Sequence, residues 1–409
     1  MATFDKGQET PVTQRPDDAG PYGCGMFSGL RVLDAASFVA APAAATILSD
    51  FGADVIKVEP PGGGDPMRSF HLAPGLTPTE HAYFWTVLAR NKRSVALDLK
   101  QPSEQEKLYG LVRTADVFIT NMPLKARERL GISWDRLAGL NDRLIYASFT
   151  GFGETGPEKD LAAFDATAWW ARSGLMDQVR PTGDSVPARS TPGMGDHMGA
   201  LALYGAIVSA LYRRERTGRG AHVGSSLIAN GAWSNAISIQ GAIAGVAPPR
   251  PLPRLEGTNP LGSHYRCADG RWLTLAVTAN QQVHCWPAVT RVIGRPELAD
   301  DPRLATMASR AEHAAELIAL FDQIFATRPA AAWHNLLTEA GVTHSVVAHV
   351  FDAVHDEQML AAGVLTPMQG LDGAPLTIDS PIWISGETKR PPAPPPALGA
   401  HNDEVLGGG

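Results

Sequence analysis

LRVLDAASFVAAPAAATILSDFGADVIKVE, residues 30–59, decides the fold. LRVLDAA is a short apolar run, APAAATILSDFGA carries apolar residues at helical spacing and is ended by Gly52, and DVIKVE is a second apolar run. The order is strand, helix, strand. It returns downstream as SVALDL at 94–99, a helix around 102–113, DVFITN at 116–121, a helical WDRLAGL, and LIYASFTGFG at 144–153. Such alternation predicts parallel strands joined by crossover helices. In that architecture ligands sit beyond the carboxyl ends of the strands.

Beyond this block the rhythm changes. Residues 195–216 read as one long apolar helix whose last turn carries Arg213, Arg214 and Arg216 before Gly218, as the C-terminal end of a helix dipole favours. APPRPLPRLEGTNP (247–260) reads as a Pro-rich linker or loop, HYRCADGRWLTLAV as a hairpin around Asp269-Gly270, and residues from about 281 to 340 as helical segments. The tail RPPAPPPALGAHNDEVLGGG is a polyproline-type extension with a short polar end. No internal repeat is visible.

The bulk numbers bound the function. A chain of 409 residues exceeds what one core usually supports, so two domains are expected. Hydrophobic content of 44% with 19% charged residues suits a globular enzyme. A net charge of −7 supplies no basic footprint, which argues against nucleic-acid partners. Cys24, Cys267 and Cys285 are odd in number and widely spaced, as suits a reducing compartment rather than a disulfide framework. The polar N-terminus MATFDKGQETPVTQRPDDAGPYGCG lacks the apolar core of a signal peptide and reads as a flexible tail. No run of about 18 apolar residues could cross a bilayer, so no membrane partner and a cytoplasmic location are expected.

Several familiar chemistries fail on their residues. A nicotinamide site needs a glycine-rich turn after the first strand, and AASFVAAPAA has no glycine. Gly62-Gly63-Gly64 follows the second strand, but Asp65-Pro66 comes next, and a plain turn competes there with a phosphate cradle. No G-x-S-x-G elbow presents a serine. His344, His349, His355 and Asp356 lie close together without the spacing of a zinc site, so no metal is expected.

The remaining stretch of interest is SGLMDQVRPTGDSVPARSTPGMGDHMGA (173–200), with Asp177, Asp184 and Asp196. Gly183 allows close backbone approach beside Asp184, and Pro181-Thr182-Gly183 would present the acid at a loop tip. On the residues alone, an ordinary polar turn is the favoured account.

GLRVLDAASFVAAPAAATILSDFGADVIKVEPPGGGDPMR, NKRSVALDLK, DVFITN, ASFTGFGETGP, TGRGAHVGSSL, ADGRW and LGAHNDEVL, in this order and spacing from about residue 28 to 406, resemble the class III CoA-transferases, the group that includes formyl-CoA transferase and carnitine CoA-transferase. The resemblance implies an α/β fold: a Rossmann-like large domain with a parallel sheet, a smaller α+β domain, and an interlocked homodimer. Expected bounds are a tail at 1–27, the large domain at 28–224, the small domain at 225–335, and a C-terminal segment, 336–409, that returns to the large domain.

It also implies transfer of CoA from an acyl-CoA donor to a free carboxylic acid, with coenzyme A as co-substrate and no metal. In this family the nucleophilic carboxylate follows the Ser-Gly after the FD segment by about ten residues and precedes a Gly-Asp by about twelve, which places it on Asp184; Asp196 is then a cap or first-turn acid. The family's CoA contacts fall on Val39, Ala40, Leu97, Lys100, Asn121, Met122 and Arg129, with Lys100 and Arg129 suited to phosphate.

Formyl-CoA transferase has glutamine where Val39 stands, arginine near Pro60, lysine where Thr150 stands, and a glycine-rich lid that GTNPLGSHY does not reproduce, so a different substrate is expected. Trp169 and Trp170 could wall an acyl pocket or lie in the core. Two alternatives remain: an α-methylacyl-CoA racemase, whose acid aligns with Asp165 but whose preceding histidine is Phe164 here, and a non-catalytic CoA-binding protein.

Overall fold

The computed structural model describes residues 25–370 and 375–407. Cys24 and most of the expected N-terminal tail lie outside them. The described chain divides into two compact units: residues up to Trp170 with Thr191–Ser234 and those from Gly363 onward, and Ala171–Ser190 with Asn235–Ala362.

The first unit is built on six parallel strands: β1 (Arg31–Asp34), β2 (Asp54–Glu59), β3 (Arg93–Ala96), β4 (Val117–Thr120), β5 (Ile145–Thr150) and β6 (Ala221–Ser226), in the order β3-β2-β1-β4-β5-β6. The apolar runs read from the sequence become its inner strands because strands covered on both faces must be nearly continuously apolar. Val32 pairs with Val55 and Val117, and Leu33 with Ile56 and Phe118, all of them buried. Helix α1 (Ala40–Asp50) is buried along its whole length, which its alanines permit, and packs on the long helix α2 (Met194–Thr217). Small residues on α2 let it approach closely: a side chain at Gly195 would strike Trp169, and one at Gly199 would strike Phe149. Trp169 and Trp170 stack on each other and are buried, so they belong to this core.

The mixed α/β architecture agrees with the fold class expected. The proline-rich tail is more firmly tied than an extension. Asn91 bonds Ala393 in both directions, Arg68 donates to the Pro396 carbonyl, and the Ser94 and Ala96 amides donate to His401 Nδ1 and Asn402 Oδ1. The C-terminal segment thereby covers β3 at the edge of the sheet, where unpaired backbone groups would otherwise stand open.

The second unit holds a three-stranded antiparallel sheet, β7 (His264–Arg266), β8 (Trp272–Leu275) and β9 (His344–Val346). The β7–β8 hairpin turns at Asp269-Gly270, where Gly270 takes a φ of 80°. Tyr265, Trp286, Phe321, Phe325 and Trp333 form its aromatic core under the helices Gln282–Val292, Ala314–Phe325 and Ala330–Glu339. Cys267 and Cys285 are free and buried here. Among the described residues, no helix is long and apolar enough to cross a membrane.

Candidate active site

The strand order reverses between β1 and β4: from β1 the chain moves outward through β2 and β3, then returns to add β4 on the other side. Connections on the two sides leave in opposite directions, and ligands of such sheets bind past the carboxyl ends of the strands at this point. Asn121, just after β4, spans this point. Its Oδ1 accepts the Ser37 N–H at 2.9 Å and its Nδ2 donates to the Ser37 carbonyl at 2.7 Å.

Every predicted CoA-binding residue follows β1, β3 or β4. Val39 and Ala40 open α1 after β1, Leu97 and Lys100 follow β3, and Asn121, Met122 and Arg129 follow β4. Their exposures differ. Lys100 and Arg129 are exposed, and neither is ion-paired with any described residue; Val39, Asn121 and Met122 are half-buried. The Leu97 and Ala40 side chains are buried in the core, so only their backbone could face a ligand.

Against the turn between β1 and α1 lies a group of charges that the sequence reading did not single out. Asp34, Lys57, Asp65 and Lys92 are all buried. Lys57 Nζ lies 3.5 Å from Asp34 and 3.0 Å from Asp65, and Lys92 donates to Asp34 Oδ2 at 2.8 Å and to the Pro42 carbonyl at 2.7 Å. Burial alone would raise the Asp34 pKa, but the Lys57 and Lys92 ammonium groups hold it below its ordinary value. Burial, reinforced by Lys57, draws Lys92 down to about 8 against the pull of Asp34. Glu59, next to this group, takes both guanidinium contacts of Arg68 and the Ser94 hydroxyl.

Asp165, buried, spends both carboxylate oxygens on backbone N–H groups, those of Ala166 at 2.7 Å and of Gly195 in the first turn of α2 at 3.3 Å. The carboxylate bonded to the start of α2 is therefore Asp165. Asp196 sits in that first turn with no side-chain cap bond to the helix, and burial, then the nearby Asp165, pushes its pKa up to about 7.

Asp184 lies in the second unit. It stands on a turn from Thr182 to Ser185, where the Ser185 N–H and hydroxyl both donate to the Thr182 carbonyl and the Thr182 N–H donates back to the Ser185 oxygen. Gly183 N–H donates to the Pro251 carbonyl at 2.9 Å, and a Cβ at 183 would stand 2.1 Å from Arg250 Nε. A side chain at 183 would have to displace the exposed Arg250 side chain. Arg250 Nη2 then reaches Asp184 Oδ1 at 2.6 Å, and the two side chains are 66% and 89% exposed. Arg250 falls within the stretch read as linker or loop, and nothing local in that stretch signals its contact with Asp184.

A six-stranded parallel sheet whose order reverses between β1 and β4, with no glycine-rich turn after β1, defines the class: a doubly wound α/β protein without the dinucleotide-binding fingerprint. Residues 27–402 match CoA-transferase family III, and the chain belongs to that family. It is similar to (R)-2-hydroxy-4-methylpentanoate CoA-transferase of Clostridioides difficile, at 32% identity over 93% of this chain and 94% of the relative, and to acetyl-CoA:oxalate CoA-transferase of Acetobacter aceti, at 33% over 90% and 92%. Among solved structures it is similar to a CAIB/BAIF family protein from Brucella suis, with a TM-score of 0.82, 28% identity, and coverage of 94% of this chain and 99% of that one. The protein is a CoA-transferase.

Proposed function

We propose that the enzyme moves CoA from an acyl-CoA to a free carboxylic acid by covalent catalysis on Asp184. The Asp184 carboxylate attacks the thioester carbonyl, the C–S bond breaks, and CoA leaves as a thiolate from a mixed anhydride. The thiolate then attacks the Asp184 carbonyl carbon and expels the donor carboxylate, leaving an aspartyl-CoA thioester. The acceptor carboxylate repeats the two steps in reverse: it displaces CoA to form a second anhydride, and the thiolate takes its acyl group and frees Asp184. Each step exchanges one acyl–oxygen or acyl–sulfur bond for another, so the energy of the thioester is conserved. Water must be kept from both anhydrides, because hydrolysis would dissipate it, so Asp184, exposed in the single chain, has to be covered during turnover.

The observation that carries this reading is the placement of Asp184: an acid exposed on a turn, backed by a glycine and paired to one guanidinium. The guanidinium stands directly against the carboxylate that would act as the nucleophile. Once Asp184 is acylated its charge is gone, and Arg250 is left with a free guanidinium for the departing thiolate or the incoming carboxylate. Val39, Ala40, Leu97, Lys100, Asn121, Met122 and Arg129 are proposed to hold CoA, with Lys100 and Arg129 on its phosphates. The racemase alternative is disfavoured because the Asp165 oxygens are committed to backbone N–H groups.

We place the enzyme in the cytoplasm as a homodimer. Supporting a partner copy, Trp233, Ile237 and Phe351 are 82%, 91% and 86% exposed in the single chain, and apolar side chains of that size mark contact surfaces. Light scattering on the purified protein tests this, and a monomer at micromolar concentration would refute it. The function is tested by incubating the enzyme with a panel of acyl-CoA donors and carboxylic acids and identifying new CoA thioesters by mass spectrometry. Deuterium exchange at the α-carbon without CoA exchange would instead support the racemase.

A further inference from the structure

The segment EPPGGGDPMR (59–68) has so far been given no role in the chemistry. Its glycines reverse the chain. Gly62 and Gly64 take φ of 87° and 68°, and a Cβ on Gly64 would stand 2.7 Å from a Glu59 carboxylate oxygen and 2.9 Å from Arg68. The reversal delivers Asp65 to a buried position beneath the β1–α1 turn. There its Oδ1 accepts the N–H of Met67 at 3.0 Å and of Phe38 at 3.3 Å, while Oδ2 faces Lys57 Nζ at 3.0 Å.

Lys57 in turn donates to the Ala36 carbonyl at 2.5 Å, and Asp34 accepts the Ala36 N–H at 3.2 Å. Both ends of the turn are thus tied to one buried ionic group. Between them Phe38 adopts a φ of 62°, a left-handed conformation rare for a bulky residue, and its ring is more than a third exposed. Such a conformation persists only where its surroundings over-determine it, and it gathers at functional sites. The next two residues are Val39 and Ala40, the proposed CoA contacts after β1.

We propose that Asp65 is a positioning residue of the CoA site: by joining Lys57 to the Phe38 N–H it holds the β1–α1 turn in the left-handed form that presents Val39 and Ala40. This rests on the CoA-transferase reading and on the assignment of CoA to the switch point. The glycine run then exists to place a carboxylate beneath the turn.

The test measures the Kd for free CoA by calorimetry, together with kcat, KM and thermal midpoint, on full-length wild type, Asp65→Asn and Asp50→Asn. Asp50 is a control, buried in an ion pair with Arg90 at the far end of α1. Asp65→Asn is expected to raise the Kd and the KM for the acyl-CoA by about tenfold or more while kcat at saturation stays within about threefold. Asp50→Asn is expected to lower the thermal midpoint yet keep the wild-type Kd. A wild-type Kd in Asp65→Asn overturns the proposal, and so does an equal rise in Asp50→Asn, which would mark a general loss of structure.

Should Asp65→Asn not fold, Phe38→Pro serves, because proline fixes φ near −65° and removes the N–H that Asp65 accepts. It is expected to lose CoA affinity by a similar factor, and unchanged affinity again overturns the proposal. A wild-type enzyme with no affinity for CoA would instead sink the CoA-site assignment itself.

Discussion

Two sets of charges in this protein are treated in opposite ways. Under the β1–α1 turn, Asp34, Lys57, Asp65 and Lys92 are buried, and each meets more than one partner. On the second unit, Asp184 and Arg250 meet each other through a single contact and are otherwise mostly in water. A buried ion cannot change charge without leaving its partner uncompensated in a medium of low dielectric, so it is suited to fixing geometry. An exposed carboxylate can be esterified and regenerated at little cost to the fold. The first set is therefore read as scaffold and the second as reagent.

Substitutions should separate the two roles. Asp184→Ala is expected to reduce CoA transfer by at least ~1,000-fold with an unchanged thermal midpoint, since the side chain supports no buried contact. Lys57→Met should do the reverse: removing one partner of a buried ionic group costs about 3–5 kcal/mol of stability, measured by urea unfolding. A stable Lys57→Met protein would break the contrast. Arg250→Met should slow turnover by roughly tenfold to a hundredfold without lowering stability, because exposed ion pairs contribute little; Arg250→Lys, which keeps the charge, should recover part of the rate.

The smallest expected effect is pH-dependent and falls on Asp196. Its pKa is pushed up to about 7 in the folded protein, first by burial and then by Asp165. The folded state thus binds this proton more tightly than the unfolded chain does. The stability it supplies is complete below the ordinary carboxylate range and is lost as pH rises through about 7. Asp196→Asn cannot ionise, so it should match the wild type near pH ~4 and be the more stable of the two above pH ~8. Parallel stability curves for the two proteins would show that Asp196 does not titrate in this way.

The inner strands were legible because burial on both faces writes an apolar run, as in DVIKVE and VFIT. The last strand, β6, was not read as a strand. AHVGSS pairs along β5 at the edge of the sheet with alternate residues open, and its only large apolar residue is Val223. The hairpin at Asp269-Gly270 was visible from its turn residues. The tail 390–407 looked like a loose proline-rich extension because its partners, Asn91, Ser94 and Ala96, are about 300 residues away, and no local pattern records a contact of that range.

At the site, the strand–helix alternation pointed to the carboxyl ends of the strands, but the strand order that sets the switch point is not written locally in the sequence. The buried charges were hidden for a simple reason. Lys57 and Glu59 sit inside DVIKVE and looked like ordinary interruptions of an apolar strand. Arg250 was hidden among prolines that gave no reason to expect a partner 66 residues earlier in the chain.

The most direct test asks which side chain becomes acylated. The enzyme is mixed with an acyl-CoA donor and no acceptor, quenched with hydroxylamine, digested, and the peptides carrying Asp177, Asp184 and Asp196 are compared by mass spectrometry. The account predicts a hydroxamate on Asp184 alone, absent when the donor is omitted. An unmodified Asp184 in enzyme that is turning over, or a hydroxamate on another of these acids, would contradict it.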